Sequence, residues 1–349
     1  MRNHPVRRPL AGLLLAAGLA VAGGLALQKD RAPGTGQWST RAPIPLADGE
    51  VGVAEVGGRI HVLGGYSGNG RLHAEYDPGT DTWRLRAPLP RALHHVGAAG
   101  LDGKLYLVGG YDHASGRGVA DVFEYDPGTD RWRARAPMPT ARGALGVAVL
   151  GGRLYAVGGR DRADTGANER YDPATNTWTG LAPLPTPRDH LAVVALGGRV
   201  HAVAGRLETY TRNTGVHEAY DPGMNRWTPL APLPTPRSGV AAAVLGGRLF
   251  VLGGEGTQGT FHQNEAYDPG RNCWTRMAPL PTARHGTGAA VVNGVMYVPT
   301  GAPTPGASRT AVNEAFTWSP GEAPLPCTGS GRPGAGRRGP SRTPGTPGG

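Results

Sequence analysis

The sequence is poor in cysteine, with only Cys273 and Cys327 among 349 residues. Without a Cys/His spacing of the zinc type, we expect no metal site, and nothing in the sequence calls for a cofactor. The two cysteines could pair in an exported protein, but sequence alone cannot bring them together.

The chain also lacks a basic helix and a platform of alternating aromatic and basic residues. Its formal net charge is +10, yet residues 1–36 and 319–349 together carry +7 of it. A charge concentrated at the two ends is poor support for a nucleic-acid-binding surface. We therefore expect no nucleic-acid partner.

Only one long apolar run occurs, at residues 10–27, after Arg2, Arg7 and Arg8. Small residues at 20–22 resemble a signal-peptidase site, so residues 1–22 are predicted to be a signal peptide. The alternative is an uncleaved membrane anchor reaching to about residue 27. Either way we expect a secreted, periplasmic or cell-surface protein, with membrane association only through that segment.

Two further segments are predicted to lie outside the folded domain. Residues 23–36 read as a flexible linker. Residues 319–349 are rich in Pro, Gly and Arg, with almost nothing apolar, and are predicted to be a disordered tail. The folded domain is therefore expected to span residues 37–318.

Within that domain, glycine pairs or their variants recur every 45 to 49 residues. They are Gly64-Gly65, Gly109-Gly110, Gly158-Gly159, Ala204-Gly205, Gly253-Gly254 and Thr300-Gly301. Each unit reads as two short apolar strands joined by a tight turn, a variable polar loop, a Tyr-Asp-Pro strand and a Trp strand. A fixed period with four antiparallel strands per unit predicts the blades of a β-propeller. The Ala- and Gly-rich first strands suit the crowded axis.

The double glycine, the Tyr-Asp-Pro triplet and the following Trp resemble the Kelch family over about four-fifths of the chain. The triplets begin at Tyr76, Tyr125, Tyr171, Tyr220 and Tyr267, and the tryptophans are Trp83, Trp132, Trp178, Trp227 and Trp274. The resemblance implies an all-β, Kelch-type propeller. Trp38 starts an orphan fourth strand, whereas the sixth unit lacks one. We therefore predict six blades, with the N-terminal strand at Trp38 completing the last blade.

Candidate site residues lie on the face that carries the variable loops between second and third strands. A Pro-x-x-Arg motif opens four blades, at Arg142, Arg188, Arg237 and Arg284. Two residues after the motif position stand Glu50, His95 and His190. The arginines either contact an anionic ligand or brace neighbouring loops. Ligand contact is favoured by the resemblance, because Arg at this position of ubiquitin-ligase Kelch adaptors contacts acidic peptides.

No evident catalytic set accompanies the scaffold, so we predict a binding module for a protein, acidic peptide or glycan rather than an enzyme. The alternative, from a resemblance to periplasmic N-acetylneuraminate epimerases, is a sugar mutarotase. In that case Arg188 or Arg237 would clamp the anion, and Glu50, His95 or Glu208 would act as acid or base.

Two metal-based interpretations are disfavoured. His94-His95 is predicted to be a polar rim rather than a metal pair. A copper radical enzyme similar to galactose oxidase would need a Cys cross-linked to a Tyr, whereas Cys273 adjoins Trp274 and Cys327 lies in the tail.

Overall fold

The computed structural model describes residues 34–66, 68–209, 211–321 and 325–328. These residues form strands, turns and loops. Nothing helical among them is long or apolar enough to span a bilayer. The predicted signal peptide, most of the linker and most of the tail lie outside the described residues, so those assignments stay predictions.

The strands follow one another blade by blade after an N-terminal strand. That strand is β1 (Gln37–Arg41). Blades one and two contain β2 (Gly52–Val56), β3 (Arg59–Leu63), β4 (His73–Asp77), β5 (Thr82–Leu85), β6 (Leu93–His94), β7 (Gly97–Leu101), β8 (Lys104–Val108), β9 (Tyr111–Asp112), β10 (Val122–Asp126) and β11 (Arg131–Ala134). Blades three and four contain β12 (Gly146–Leu150), β13 (Arg153–Val157), β14 (Asn168–Asp172), β15 (Thr177–Gly180), β16 (Ala192–Leu196), β17 (Arg199–Val203), β18 (His217–Asp221) and β19 (Arg226–Pro229). Blades five and six contain β20 (Ala241–Leu245), β21 (Arg248–Leu252), β22 (Glu255–Gly256), β23 (Gly259–Thr260), β24 (Asn264–Asp268), β25 (Cys273–Arg276), β26 (Ala290–Val292), β27 (Val295–Pro299) and β28 (Asn313–Thr317).

Each blade is a four-stranded antiparallel sheet, and in the first five blades its strands lie in chain order. The sixth sheet has the order β26, β27, β28, β1, with Trp38 opposite Phe316. The predicted six-bladed propeller, closed by the strand at Trp38, is confirmed. Closure joins the two ends of the ring through the hydrogen bonds between β1 and β28, so that β28 has a strand partner on both sides.

Tight turns join the first and second strands of every blade. Two of them show the chemistry clearly: Asp102-Gly103 and Asn293-Gly294 have φ values of 51° and 70°, and of 49° and 75°. A two-residue hairpin turn of this type needs positive φ at both positions, which favours Asp-Gly and Asn-Gly. The other four hairpins have Gly-Gly at these two positions, also with positive φ, so a turn of the same kind sets the hairpin register in each blade.

The first strands surround a central channel of about 550 Å³. Small residues are required there: a Cβ on Gly146 would lie 2.2 Å from Val193, and one on Gly100 would lie 2.0 Å from the Glu55 carbonyl oxygen. Neither contact is tolerable, since packed interiors leave no such space. The alternation of small residues in these strands thus follows from how closely the blades approach the axis.

A tryptophan in every blade, and in the first five blades also a tyrosine with one Asp or Asn, connect neighbouring blades. In blade one, the Trp83 indole N–H donates to the Ala42 carbonyl at 2.8 Å, and Asp81 Oδ1 accepts from both the Tyr76 hydroxyl and the Ala42 amide. The same indole bond is made by Trp38, Trp132, Trp178, Trp227 and Trp274. Asp130, Asn176, Asn225 and Asn272 repeat the role of Asp81. The aromatic residues therefore fill and also hydrogen-bond the gaps between blades.

Both ends of the domain extend past residues 37 and 318. The Trp318 indole N–H donates to the Gly34 carbonyl at 2.7 Å. Cys273 and Cys327 form a disulfide, and the Thr328 amide donates to the Trp274 carbonyl at 2.7 Å. Residues at both ends, in the ranges 34–36 and 325–328, thus make contacts with the propeller.

Candidate ligand site at the axial mouth

One residue from each blade encircles the axis at the channel mouth, and we call this set the axial ring. It consists of Glu50, His95, Ala144, His190, Gly239 and Gly286. All six have positive φ, between 52° and 63°. Each amide donates to the carbonyl of the preceding member at 2.8 to 3.0 Å, and Val51 closes the circle onto Gly286 at 3.2 Å. Non-glycine residues rarely adopt this conformation, so the ring holds Glu50, His95 and His190 against a local backbone cost.

A second tier of side chains lies directly outside the axial ring. In blades two to six the residue before the ring member pairs with the residue that follows the glycine pair or its variant. These pairs are His94 with Tyr111, Gly143 with Arg160, Asp189 with Arg206, Ser238 with Glu255, and His285 with Ala302. This pairing brings the start of each variable loop next to the axis, so residues far apart in the chain meet at the mouth.

Glu50 is the centre of one group of contacts. Its Oε2 lies 3.1 Å from His95 Nε2, and its Oε1 lies 3.2 Å from His285 Nε2. His285 Nε2 is also 3.3 Å from Glu255 Oε2. One imidazole is therefore shared between two carboxylates that come from blades one and five.

Arg206 is the centre of the other group. Its Nε donates to Asp189 Oδ1 at 2.8 Å, and its Nη1 lies 3.4 Å from Glu255 Oε1. Its Nη2 is 3.2 Å from His190 Nε2, while His190 Nδ1 is 3.0 Å from Asp189 Oδ1. Glu255 thereby links the two groups into one network across the mouth.

The protonation of this network follows from burial and from its partners. Burial raises the pKa of the Glu50 carboxyl, but the imidazoles of His95, His285 and His190 outweigh it and hold that pKa well below its usual range. Burial lowers the pKa of His95 to about 3. Burial also acts to lower the pKa of His285, but the hydrogen bond and charge of Glu50 raise it overall. Near neutral pH the mouth therefore holds an ionised Glu50 and a neutral His95, while the raised pKa of His285 makes it the more basic of these two imidazoles.

One side of the mouth is aromatic. The Tyr66 side chain is 46% exposed and lies edge-on to the ring of His94, at 4.8 Å between centroids. His113 and Tyr111 complete this wall, with centroids 5.3 and 5.5 Å from that of His94. An exposed aromatic face thus borders the charged network.

The four motif arginines do not face the mouth. Each is at most 1% exposed and pairs with a glutamate of its own blade's third strand. In blade five, Arg237 Nη1 is 2.5 Å from Glu265 Oε2, and the same guanidinium donates to the carbonyls of Thr235, Val251 and Gly253. The other pairs are Arg142 with Glu169, Arg188 with Glu218, and Arg284 with Glu314. Of the two alternatives, these contacts match bracing, because the guanidinium donors are taken up by acceptors of the protein itself.

The remaining candidates divide between the mouth and the surface. Glu50, His95 and His190 are brought together at the axial ring. The carboxylate of Glu208 is 72% exposed and pairs with Arg212, and no contact among the described residues joins it to Glu50.

Sequence reasoning did not single out Arg206, Glu255 or His285 as members of the site. A usable signal existed, because the position after the glycine pair changes character from blade to blade. Its residues are Tyr66, Tyr111, Arg160, Arg206, Glu255 and Ala302.

Comparisons with known proteins agree with this architecture. The Kelch motif model matches residues 92–139, 141–185 and 236–281. A solved structure titled "Structure of YjhT" superposes with a TM-score of 0.71 at 19% identity, covering 81% of this chain and all of that one. No curated protein sequence matches the chain. At that identity the structural likeness speaks for the fold alone.

Proposed function

This chain is a Kelch-repeat β-propeller, and we propose that its axial mouth binds a neutral saccharide. The observation that carries the proposal is the position of the exposed Tyr66 ring beside the polar network of Glu50, His95 and Arg206. Sugars present apolar C–H faces and polar hydroxyl edges, so an aromatic surface next to mixed donors and acceptors suits them.

The charge balance of the mouth favours a ligand without negative charge. Of the three carboxylates at the mouth, Asp189 and Glu255 share one arginine, Arg206, whereas the ion pairs of Glu50 are with His95 and His285. The motif arginines cannot compensate, since their guanidinium groups are buried against glutamates. An acidic peptide would therefore meet repulsion at the mouth, and a hydroxyl-rich neutral ligand would not.

A second candidate function is sugar mutarotation, and a specific contact favours it. Glu50 lies against both His95 and His285, so one carboxylate and two imidazoles converge on the mouth. Ring opening of a sugar needs a proton acceptor and a proton donor, which such a set supplies. Because Arg188 and Arg237 are buried braces, we favour a neutral aldose over sialic acid as the substrate.

We also propose that the protein works outside the reducing cytoplasm. The disulfide between Cys273 and Cys327 supports this location, because structural disulfides persist in oxidising compartments. The predicted signal peptide at residues 1–22 is consistent with it.

Thermal unfolding of the full chain against neutral sugars, sialic acid and acidic peptides tests the proposal. A ligand that binds only the folded state raises the midpoint. We expect a neutral saccharide to raise it, Tyr66→Ala to remove the shift, and Met224→Ala to leave it. Met224 is another exposed large apolar residue, at 61%, but it lies in the turn between β18 and β19, on the opposite face.

A shift given by sialic acid or acidic peptides and by no neutral sugar would overturn this proposal, as would a full shift in Tyr66→Ala. Anomer exchange followed by NMR on the same sugars separates the two candidate functions. Acceleration that disappears in Glu50→Gln supports mutarotation, and binding without acceleration leaves a binding module.

A further inference from the structure

We propose that Glu50, His95 and His190 bind one divalent transition-metal ion of the zinc class at the axial mouth. One potential ligand atom from each residue lies within 4.8 Å of those of the other two. Ligands of a tetrahedral zinc ion at ~2.1 Å lie about 3.4 Å apart, so closure around an ion needs only small rotamer adjustments.

The backbone already holds these three residues in place. All belong to the axial ring, with φ of 57°, 53° and 52°, and the ring is closed by hydrogen bonds from blade to blade. A site built on such a rigid frame loses little entropy when it binds an ion. Ala144 has the same φ of 52° with a side chain that cannot ligate, so the ring backbone alone does not require the polar side chains of Glu50, His95 and His190.

A second layer of contacts orients both imidazoles. His190 Nδ1 faces Asp189 Oδ1 at 3.0 Å, which directs Nε2 toward the cluster. His95 Nδ1 faces His94 Nδ1 at 2.5 Å, which directs its Nε2 toward Glu50. A carboxylate or another polar group behind the ligating histidine is the usual outer layer of a metal site. Asp189 Oδ2 is also buried without a hydrogen-bond partner among the described residues, which keeps negative charge behind His190.

Arg206 is the group that the ion must displace. Its Nη2 lies 3.2 Å from His190 Nε2, the nitrogen that would ligate. The arginine keeps its bonds to Asp189 and Glu255 when that one contact is exchanged for the metal. The channel of about 550 Å³ beside the ring leaves room for water in the remaining coordination positions.

The donor set indicates the class of metal. Two imidazoles and one carboxylate suit Zn²⁺ and neighbouring transition ions, whereas Ca²⁺ and Mg²⁺ prefer oxygen ligands throughout. The sequence led us to expect no metal site. It did not indicate this one because the three ligands come from blades one, two and four. Their separations of 45 and 95 residues match no short zinc motif.

Titration calorimetry of the full chain with Zn²⁺ alone tests the site, and the repeat supplies matched variants. His190→Gly and His95→Gly install the residue that blades five and six already carry in the ring, so both should fold. Ala144→Gly makes the same backbone change in blade three without removing a ligand. We expect the zinc stoichiometry to fall by one in each histidine variant and to stay unchanged in Ala144→Gly.

Two further measurements complete the test. Glu50→Gln should weaken zinc binding at least tenfold, and Ca²⁺ and Mg²⁺ should not compete. Co²⁺ bound in place of zinc should give visible absorption bands that are lost in His190→Gly. An unchanged stoichiometry in His190→Gly, or equal losses in Ala144→Gly, would overturn the proposal. Since no sugar is present, the result is independent of the proposed saccharide binding.

Discussion

An arginine neutralises the glutamate of the third strand in every blade. In blades three to six this arginine approaches from one side of the strand, and in blades one and two it approaches from the other. In the four later blades this glutamate lies two residues before the Tyr or Phe of its strand, as Glu265 does before Tyr267. In blades one and two it lies one residue before, as Glu75 and Glu124. Side chains alternate along a strand, so a shift of one residue moves the carboxylate to the other face.

The arginine changes with the glutamate. Where the motif arginine is replaced by Asp48 or Leu93, the fourth strand and the residues after it supply guanidinium groups from outside. Arg86 Nε lies 2.7 Å from Glu75, and Arg135 Nε lies 3.0 Å from Glu124. Each blade therefore pairs its glutamate, but only the later blades do so with a fully buried arginine. Every blade thus provides a guanidinium group for its third-strand glutamate, but the arginine that provides it lies at different positions in the two groups of blades.

Removing a buried arginine should have the largest effect on the free energy of unfolding. Arg237→Ala leaves Glu265 uncompensated where both side chains have no exposure, and loss of one partner of such a pair costs about 3–5 kcal/mol. Arg84→Ala removes a 58% exposed partner of Glu75, which keeps Arg86, and should cost less than about 1 kcal/mol. Denaturant unfolding measures both. Equal losses of unfolding free energy in the two variants would mean that burial of the arginine does not determine its contribution to stability.

Installing the later arrangement in blade two should have an intermediate effect. Leu93→Arg places a charge among apolar residues and should cost about 3 kcal/mol or more, since Leu93 is buried in that blade's core. Phe123 occupies the position of the later glutamates, two residues before Tyr125. Adding Phe123→Glu should recover at least about 1 kcal/mol, read as coupling in a double-mutant cycle. If the two destabilisations simply add, an arginine and a glutamate at these two positions do not form a stabilising pair without other residues of the later blades.

The effect that is smallest at neutral pH concerns a pair of buried histidines, His217 and His201, in blade four. His217 starts the third strand of blade four, where blades three, five and six have Asn168, Asn264 and Asn313. Burial lowers the pKa of His217 to about 3 and that of its neighbour His201, 2.9 Å away, to about 4. Below pH ~6.5 the unfolded chain binds more protons, so stability should fall by up to ~1.4 kcal/mol per pH unit for each histidine.

His217→Asn should therefore flatten the loss of stability between about pH 6.5 and pH 4. Asn can keep the hydrogen bond to the Ala231 carbonyl, as Asn264 does with Ala278. Chemical denaturation at several pH values measures the slope. At pH 7.5 the variant should match the parent within about 1 kcal/mol, and an unchanged slope would exclude His217 as a source of acid sensitivity.

Most of the fold follows from local patterns, whereas the site does not. Gly-Gly, Asp-Gly and Asn-Gly turns and the spacing from Tyr to Trp report on contacts inside one blade or between neighbours. The orphan Trp38 strand was interpretable because the sixth unit lacked its counterpart. The direction of the Arg237 side chain could not be predicted, because the sequence is the same whether the guanidinium faces the mouth or turns inward onto Glu265. Glu50, His95 and His285 meet only because the ring closes.

The closed ring also has a kinetic consequence. The strand around Trp38 emerges early from the ribosome, but its partner β28 follows about 280 residues later. At roughly 5–20 residues per second, the early strand waits about 14–56 s for its partner. Its sequence, Gln-Trp-Ser-Thr-Arg, contains one large apolar residue and ends in a charge, which makes it a poor template for aggregation during that delay. A polar closing strand thus limits aggregation of the nascent chain before the propeller closes.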